Sequence, residues 1–476
     1  MTIHRKSASH AAVAALLGLA AGAVAAEPAD GVLDPTFAGD GKAVVGFDIS
    51  AAGPIDNALD SVVDGFGRIY LVGTVMTGAG ARIGITRLRQ NGSLDTGYGP
   101  DDVGLVVAPE QLGFSLTGVA AALDTQGNLL VGGTVTVNGN DDFALCRFNI
   151  DGALSAFPNG SQCVNVAFDL TGPGGNKSDV LHDIAVQPDG KIVMVGSAVF
   201  SQTHTHAAVA RIDTQGNLDS EFVNGGRNSF TPTNGRYSKL KAVAIQTNGK
   251  IVAVGNVELN NFPYDDLLVV RLNADGHPDT ALGANGAKVL SYSAQSLDES
   301  LNALVLLPGH PQLALDQTLI AVGSIQDQIG SEQHYGLVAA IGPDAEPISG
   351  FGTGGSGFRI DNTGYDLVFN GVAREASGGL LVAGTIRANA NPATTTDYYV
   401  TRFLADGSTD HDAFSPPNGF SMIDVDGGND VGNAIALQNN RIVVAGASLV
   451  SAGPPPNLDF SVVGLLRDRI FADGVD

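Results

Sequence analysis

The sequence contains no tryptophan, only two cysteines, and 25 lysines and arginines against 49 aspartates and glutamates. Each scarcity excludes something. Without tryptophan the chain lacks the large aromatic platform that sugar sites favour, which weighs modestly against a lectin. A formal net charge of −24 repels nucleic acid and anionic lipid, so neither is expected as a partner. Past the N-terminus no apolar run could span a membrane as a helix, which needs roughly 20 residues. There is no Walker loop, no dinucleotide fingerprint, no paired C-x-x-C and no G-x-S-x-G. "GGSGF" at 354–358 reads as a glycine-rich turn, not a nucleophile elbow. Glycine is abundant, at 63 of 476 without a collagen period, which suits many tight turns between buried strands.

The first residues are read as a secretory signal. Arg5 and Lys6 precede the apolar "AAVAALLGLAAGAVA", and small residues follow at Ala23, Ala25 and Ala26. Cleavage leaves residues 27–476 as one domain in a secreted location: periplasm, medium or cell surface. Loss of Arg5 and Lys6 takes the charge from −24 to −26. Export permits a disulfide between Cys146 and Cys163, which lie in successive strand-like runs. Two buried free thiols are the alternative.

What the sequence does have is a sentence written seven times. "DIAVQPDGKIVMVG" at 183–196 returns as "AVAIQTNGKIVAVG" at 242–255. Its closing glycine recurs as Gly73, Gly133, Gly196, Gly255, Gly323, Gly384 and Gly446, at spacings of 60, 63, 59, 68, 61 and 62 residues. The long spacing comes from an insertion, "PGHPQLALDQ" at 308–317. Each repeat reads as four strands: "AVAI", an Asn-Gly or Asp-Gly turn, "KIVAVG", a variable polar loop, "LLVVRL", another turn, and a weaker fourth strand such as "CVNVAF". The runs are apolar on both faces, so neighbouring sheets must cover them. Seven stacked four-stranded antiparallel sheets form either an open solenoid or an all-β, seven-bladed β-propeller.

The chain ends favour the propeller. The seventh repeat stops after its third strand, while "LDPTFAGDGKAVVGFDI", residues 33–49, stands alone before the first repeat. The N-terminal strand is expected to complete the last blade and so remove two free edges.

The third strand carries an arginine at 87, 147, 211, 271 and 402, followed eight residues later by an aspartate in four cases. The pairs are Arg87 with Asp95, Arg211 with Asp219, Arg271 with Asp279 and Arg402 with Asp410. Repeat 2 has Ser155 instead, and repeat 5 loses both charges, to Ala340 and Ile348. In repeat 7 the arginine column holds Gly464, and Asp34 is placed to supply the acid. Loss of both together points to structural ion pairs rather than an anion-binding ring.

This text resembles the delta-60 repeat family of bacterial secreted proteins. The resemblance rests on "LDPTF…GDGK" from Leu33, "VQPDGKIVMVG" from Val186 and "VVRLNADG" from Val269, and covers nearly all of the mature chain. It implies a β-propeller and export, and brings no catalytic residues. The departures are Ala340, the insertion and the degenerate turn "QNNR" at 438–441.

Candidate chemistry is sparse. His204 and His206 in "THTH" share a face if extended, but two ligands do not make a metal site. "DGGND" at 426–430 and "NGNDD" at 138–142 resemble calcium loops in composition without the spacing of an EF-hand. No cofactor is expected; calcium at an acidic loop is the one exception left open. A monomeric binding or scaffold module is the leading reading, with a protein or glycan partner. Its contacts would lie on "VTVNGNDD", "VELNNFPYDD" and "RANANPATTTDYY", where Tyr264, Tyr398 and Tyr399 could stack on a ligand. The alternatives are a polymer-cleaving hydrolase or lyase with its site at the channel, and a structural envelope component.

Overall fold

The computed structural model describes residues 29–49, 55–109, 115–175, 177–260, 262–292, 297–307, 318–326, 328, 331–387, 395–451 and 456–467. The N-terminal stretch read as a signal sequence, the 308–317 insertion, the tail after Arg467 and most of "RANANPATTTDYY" lie outside these residues. No helix among them is long and apolar enough to cross a membrane.

The regular secondary structure of the described chain is almost entirely antiparallel strand. Repeat 1 is typical, with strands Asp56–Val63, Ile69–Thr77, Gly80–Leu88 and Leu105–Val107 paired in chain order. Repeats 2 to 6 follow the same order. Repeats 3 and 4 share one continuous sheet through a single parallel bridge, Thr205 to Tyr237. In repeat 7, Asp430–Gln438, Arg441–Ser451 and Asn457–Leu466 are joined by Lys42–Val45, with Lys42 opposite Val463 and Val45 opposite Phe460. The N-terminal segment engages earlier than Leu33. Gly31 donates its amide to the Leu466 carbonyl at 2.9 Å, and Asp30 bridges to Phe414.

The second strand of each repeat sits mid-sheet and is buried on both faces, which is why it reads as an unbroken apolar run. Its neighbours in space are the adjacent repeats. The described core falls into clusters each shared by two successive repeats, and one of them joins repeat 7 to repeat 1 through Phe37, Val45, Ile69, Leu71, Val443 and Val462. At about 1.5–3 kcal/mol for each fully buried large aliphatic side chain, these shared faces are the main stabilising force.

The closing glycines mark a register break. In six repeats the first strand shifts register by one residue opposite them, as between Ala58 and Asp60 or Leu181 and Asp183. The bulge presses the first strand against the second. A Cβ at Gly73, Gly133, Gly196, Gly255, Gly323, Gly384 or Gly446 would fall 1.7–2.0 Å from a first-strand carbonyl oxygen. Only glycine fits there.

Candidate functional site

The arginine and aspartate of each pair meet where the third strand ends. Arg87 Nε donates to Asp95 Oδ2 at 2.8 Å, Arg211 to Asp219 at 2.7 Å, Arg271 to Asp279 at 2.6 Å and Arg402 to Asp410 at 2.9 Å. All four guanidinium groups are buried. Their second role is to tie neighbours together. Arg87 Nη1 reaches the Ile150 carbonyl in repeat 2 at 2.6 Å; Arg211 and Arg271 reach the carbonyls of Ala274 and Pro343; Arg402 reaches Asp30. Several lie over the aromatic ring of the following turn, Arg87 over Tyr98 at 4.4 Å and Arg211 over Phe222 at 4.6 Å.

Partners invisible to the eight-residue spacing fill the gaps. Arg147, which lacks an aspartate at 155, bonds Asp124 across the first turn at 3.0 Å. In repeat 7 the arginine has moved to the second strand, where Arg441 bonds Asp34 through Nε at 2.8 Å. Gly464 leaves room for it, since a Cβ there would meet Arg441 Cδ at 2.8 Å. The lysine after the first turn of repeats 3 and 4 has the same destination: Lys191 reaches Asp219 at 3.0 Å and Lys250 reaches Asp279 at 2.7 Å. Its recurrence beside the turn was the available clue. Cys146 and Cys163 stand directly opposite on adjacent strands and are joined as a disulfide, with Cα atoms 4.1 Å apart.

Other candidates lie elsewhere than expected. Tyr398 and Tyr399 are core residues, at 0% and 1% exposure, and stack on no ligand. Two consecutive large side chains can both be buried because each face of that strand is covered by a neighbouring repeat. Tyr264 is half-buried. His206 stacks on Phe200 at 4.7 Å, while His204 bonds Thr203 at 2.9 Å.

The residue extruded at each bulge points to a common place. Leu59, Val119, His182, Lys241, Asn302, Asn370 and Asn433, one from every repeat, line a single cavity of about 200 Å³. Four of these seven residues are bonded to the next repeat. Lys241 Nζ donates to Ser300 Oγ at 2.6 Å and Asn302 Oδ1 at 3.0 Å. Asn302 donates to the Phe369 carbonyl at 2.9 Å, Asn370 to Gly432 at 2.8 Å and Asn433 to Ala58 at 2.8 Å. Asp60 and Asp183 also line it and accept the amides of Ala121 and Val243, at 2.7 and 2.8 Å. Burial pushes Asp60 up to about 6; burial, with the Asp60 charge, pushes Asp183 up to about 8. Burial, with Lys241 and Lys239 nearby, pulls His182 down to about 4, so it is neutral at pH 7. Among the described residues the lining holds no serine, threonine or cysteine nucleophile.

Where the third strand begins, carboxylates gather at repeat junctions. Asp142, Asp169 and Asp179 flank the junction of repeats 2 and 3; Asp397, Asp424 and Asp430 that of 6 and 7; Asp459, Asp48 and Asp56 that of 7 and 1. Burial and mutual repulsion push Asp179 up to about 7, and Asp397 and Asp459 up to about 6. These shifts fix the pH response. A carboxyl raised in the folded state binds more protons than in the unfolded chain between about pH 4 and its raised value, so stability falls as pH climbs through that window. Asp34, Asp219 and Asp279 behave oppositely: burial raises each, but hydrogen bonds and their basic partners outweigh it and hold them low. Their contribution is lost as pH falls below about 4. The melting temperature, followed by calorimetry, is therefore expected to peak near pH 5 and decline by pH 8. A flat profile over that range would contradict the assignment.

Fold and repeat together define a β-propeller repeat protein. Within that class, residues 67–98, 127–154, 187–222 and 246–281 match the model of a β-propeller domain of unknown function, DUF5122. Each match runs from the first turn of a repeat to the region after its third strand. No curated protein sequence matches the chain. Similar solved structures include a PL25 ulvan lyase bound to a GlcA–sulfated rhamnose unit, at 10% identity over 92% of this chain and 94% of that one, TM-score 0.45. Drosophila Semaphorin 2a is 8% identical over 93% and 76%, TM-score 0.48. The β-propeller domain of the Trilobed protease from Pyrococcus furiosus is 9% identical over 89% and 98%, TM-score 0.42.

Proposed function

We propose that the mature chain is an exported, monomeric, closed seven-bladed propeller that serves as a binding module for a protein or glycan. The observation that carries this is the cavity to which all seven repeats contribute one bulge residue. It supports closure, and it argues against chemistry at the centre. Its volume is below the roughly 300 Å³ at which ligand pockets begin, and all its polar groups but His182 are engaged in holding neighbouring repeats. Binding then falls to the loops between second and third strands. "VTVNGNDD" and "VELNNFPYDD" both run into aspartates at the acidic end, so the face is electronegative. The delta-60 resemblance and the N-terminal signal sequence support export.

The test is a panel of neutral, acidic and basic glycans and basic peptides, read for a melting-point rise and, in parallel, for glycan cleavage. A rise without turnover is the expected result, because a ligand that binds only the native state stabilises it by mass action. Turnover would move the reading to a polymer-cleaving enzyme. A native mass far above one chain would move it to a structural component.

A further inference from the structure

At the junction of repeats 6 and 7, Asp397 comes from the third strand of one repeat, Asp424 from the residue after its fourth strand, and Asp430 from the first residue of the next repeat. One carboxylate oxygen from each lies within 4.8 Å of the other two. We propose that these three aspartates form a calcium site. The inference does not depend on the binding-module reading above.

The first support is unbalanced charge. Among the described residues none of the three carboxylates makes an ion pair. The nearest bonded cation, Lys42, spends its ammonium on the main-chain carbonyl of Asp424, at 2.6 Å, not on the carboxylate. Three like charges this close repel unless a proton or a cation joins them.

The second support is independent of clustering. Asp430 is fully buried. Its Oδ2 accepts the Val425 amide at 2.6 Å, while Oδ1, beside the Ser448 hydroxyl, makes no hydrogen bond of adequate geometry. A buried carboxylate oxygen without a donor is costly, and a metal ion is the partner that three converging carboxylates select.

The donor set chooses the ion. Oxygen-only ligands suit calcium and magnesium rather than zinc or copper. Calcium takes such ligands at about 2.3–2.6 Å in a flexible geometry, whereas magnesium demands a near-ideal octahedron at about 2.0–2.1 Å and keeps most of its water, so three carboxylates brought together by the fold suit calcium.

Titration calorimetry of the chelator-treated mature protein with calcium chloride, and separately with magnesium chloride, tests this. Saturable calcium binding and a calcium-dependent rise in melting temperature are expected. Asp424→Asn changes an exposed side chain, and Asp397→Asn a half-buried one. Each is expected to remove one equivalent of calcium or weaken it at least about tenfold. In chelator both variants are expected to melt at or above wild type, because each relieves repulsion; this separates lost binding from lost fold. No binding up to about 10 mM calcium, above the roughly 0.1–1 mM Kd of weak extracellular sites, would overturn the proposal. So would wild-type titrations from both variants, or a preference for magnesium.

Discussion

Gly133→Ala is expected to cost about 3–5 kcal/mol, enough to leave little folded protein at 37 °C. The added methyl would stand 1.7 Å from the Thr117 carbonyl oxygen and 2.8 Å from its carbon. Both are main-chain atoms of the short link between strands Ser115–Leu116 and Ala120–Leu123, whose next residue, Gly118, is bonded to Thr74 of the neighbouring repeat, so neither can swing away as a side chain would. The site has one closing glycine in each of the other repeats, and Gly446→Ala, at 1.8 Å from the Val431 oxygen, is expected to behave alike. Gly65→Ala is the control: nothing lies within 4 Å of its Cβ, and a change within about ±0.5 kcal/mol is expected. Denaturant midpoints compare the three. A Gly133 variant as stable as the Gly65 one would show that the first strand yields, and the bulge would then not be the reason for the repeat's closing letter.

Arg441→Ala carries the second large effect, again about 3–5 kcal/mol. Arg441 and Asp34 are 4% and 1% exposed, and the guanidinium also holds the Gln90 carbonyl at 2.7 Å and Gln438 Oε1 at 2.8 Å. Removing it strands a buried carboxylate and cuts the tie from the last repeat to the first. Arg68 occupies the same place in repeat 1, but it is more exposed than Arg441 and its printed partner is Asp64 of the same turn rather than a neighbouring repeat, so Arg68→Ala is expected to cost less, about 1 kcal/mol. Adding Asp34→Asn to Arg441→Ala should recover part of the loss. Strict additivity in that double-mutant cycle would mean the two residues do not act as a pair.

How far the molecule was legible follows from what repeats and what varies. The strand order, the closing glycines and the four Arg–Asp spacings are written several times over, so the chain serves as its own comparison. The cavity that all seven repeats line was not legible. Its seven residues, from Leu59 to Asn433, share no chemistry, and the bulge that turns them inward shifts the alternation by one, hiding the inward column from a period-two reading. The carboxylate triads escaped for a different reason. Asp397 is 33 residues from Asp430 along the chain, and the composition of the loops at 426–430 and 138–142 does not show which distant carboxylates join them. The error over Tyr398 and Tyr399 came from counting them with the loop they follow, when they already belong to a strand with no free face.

The pairing of Lys42–Val45 with Asn457–Leu466 also sets a timetable. The first strand made must wait for nearly the last. At about 5–20 residues per second, Lys42 emerges roughly 20–80 s before Val463 exists. Throughout that interval Asp34 lacks Arg441, and Phe37 lacks the strand it covers. Interior repeats can dock on one another as they appear, but the protein cannot finish until the whole chain is present. Throughout synthesis, then, the last repeat and the N-terminal strand each present an unpaired edge that only their mutual pairing removes.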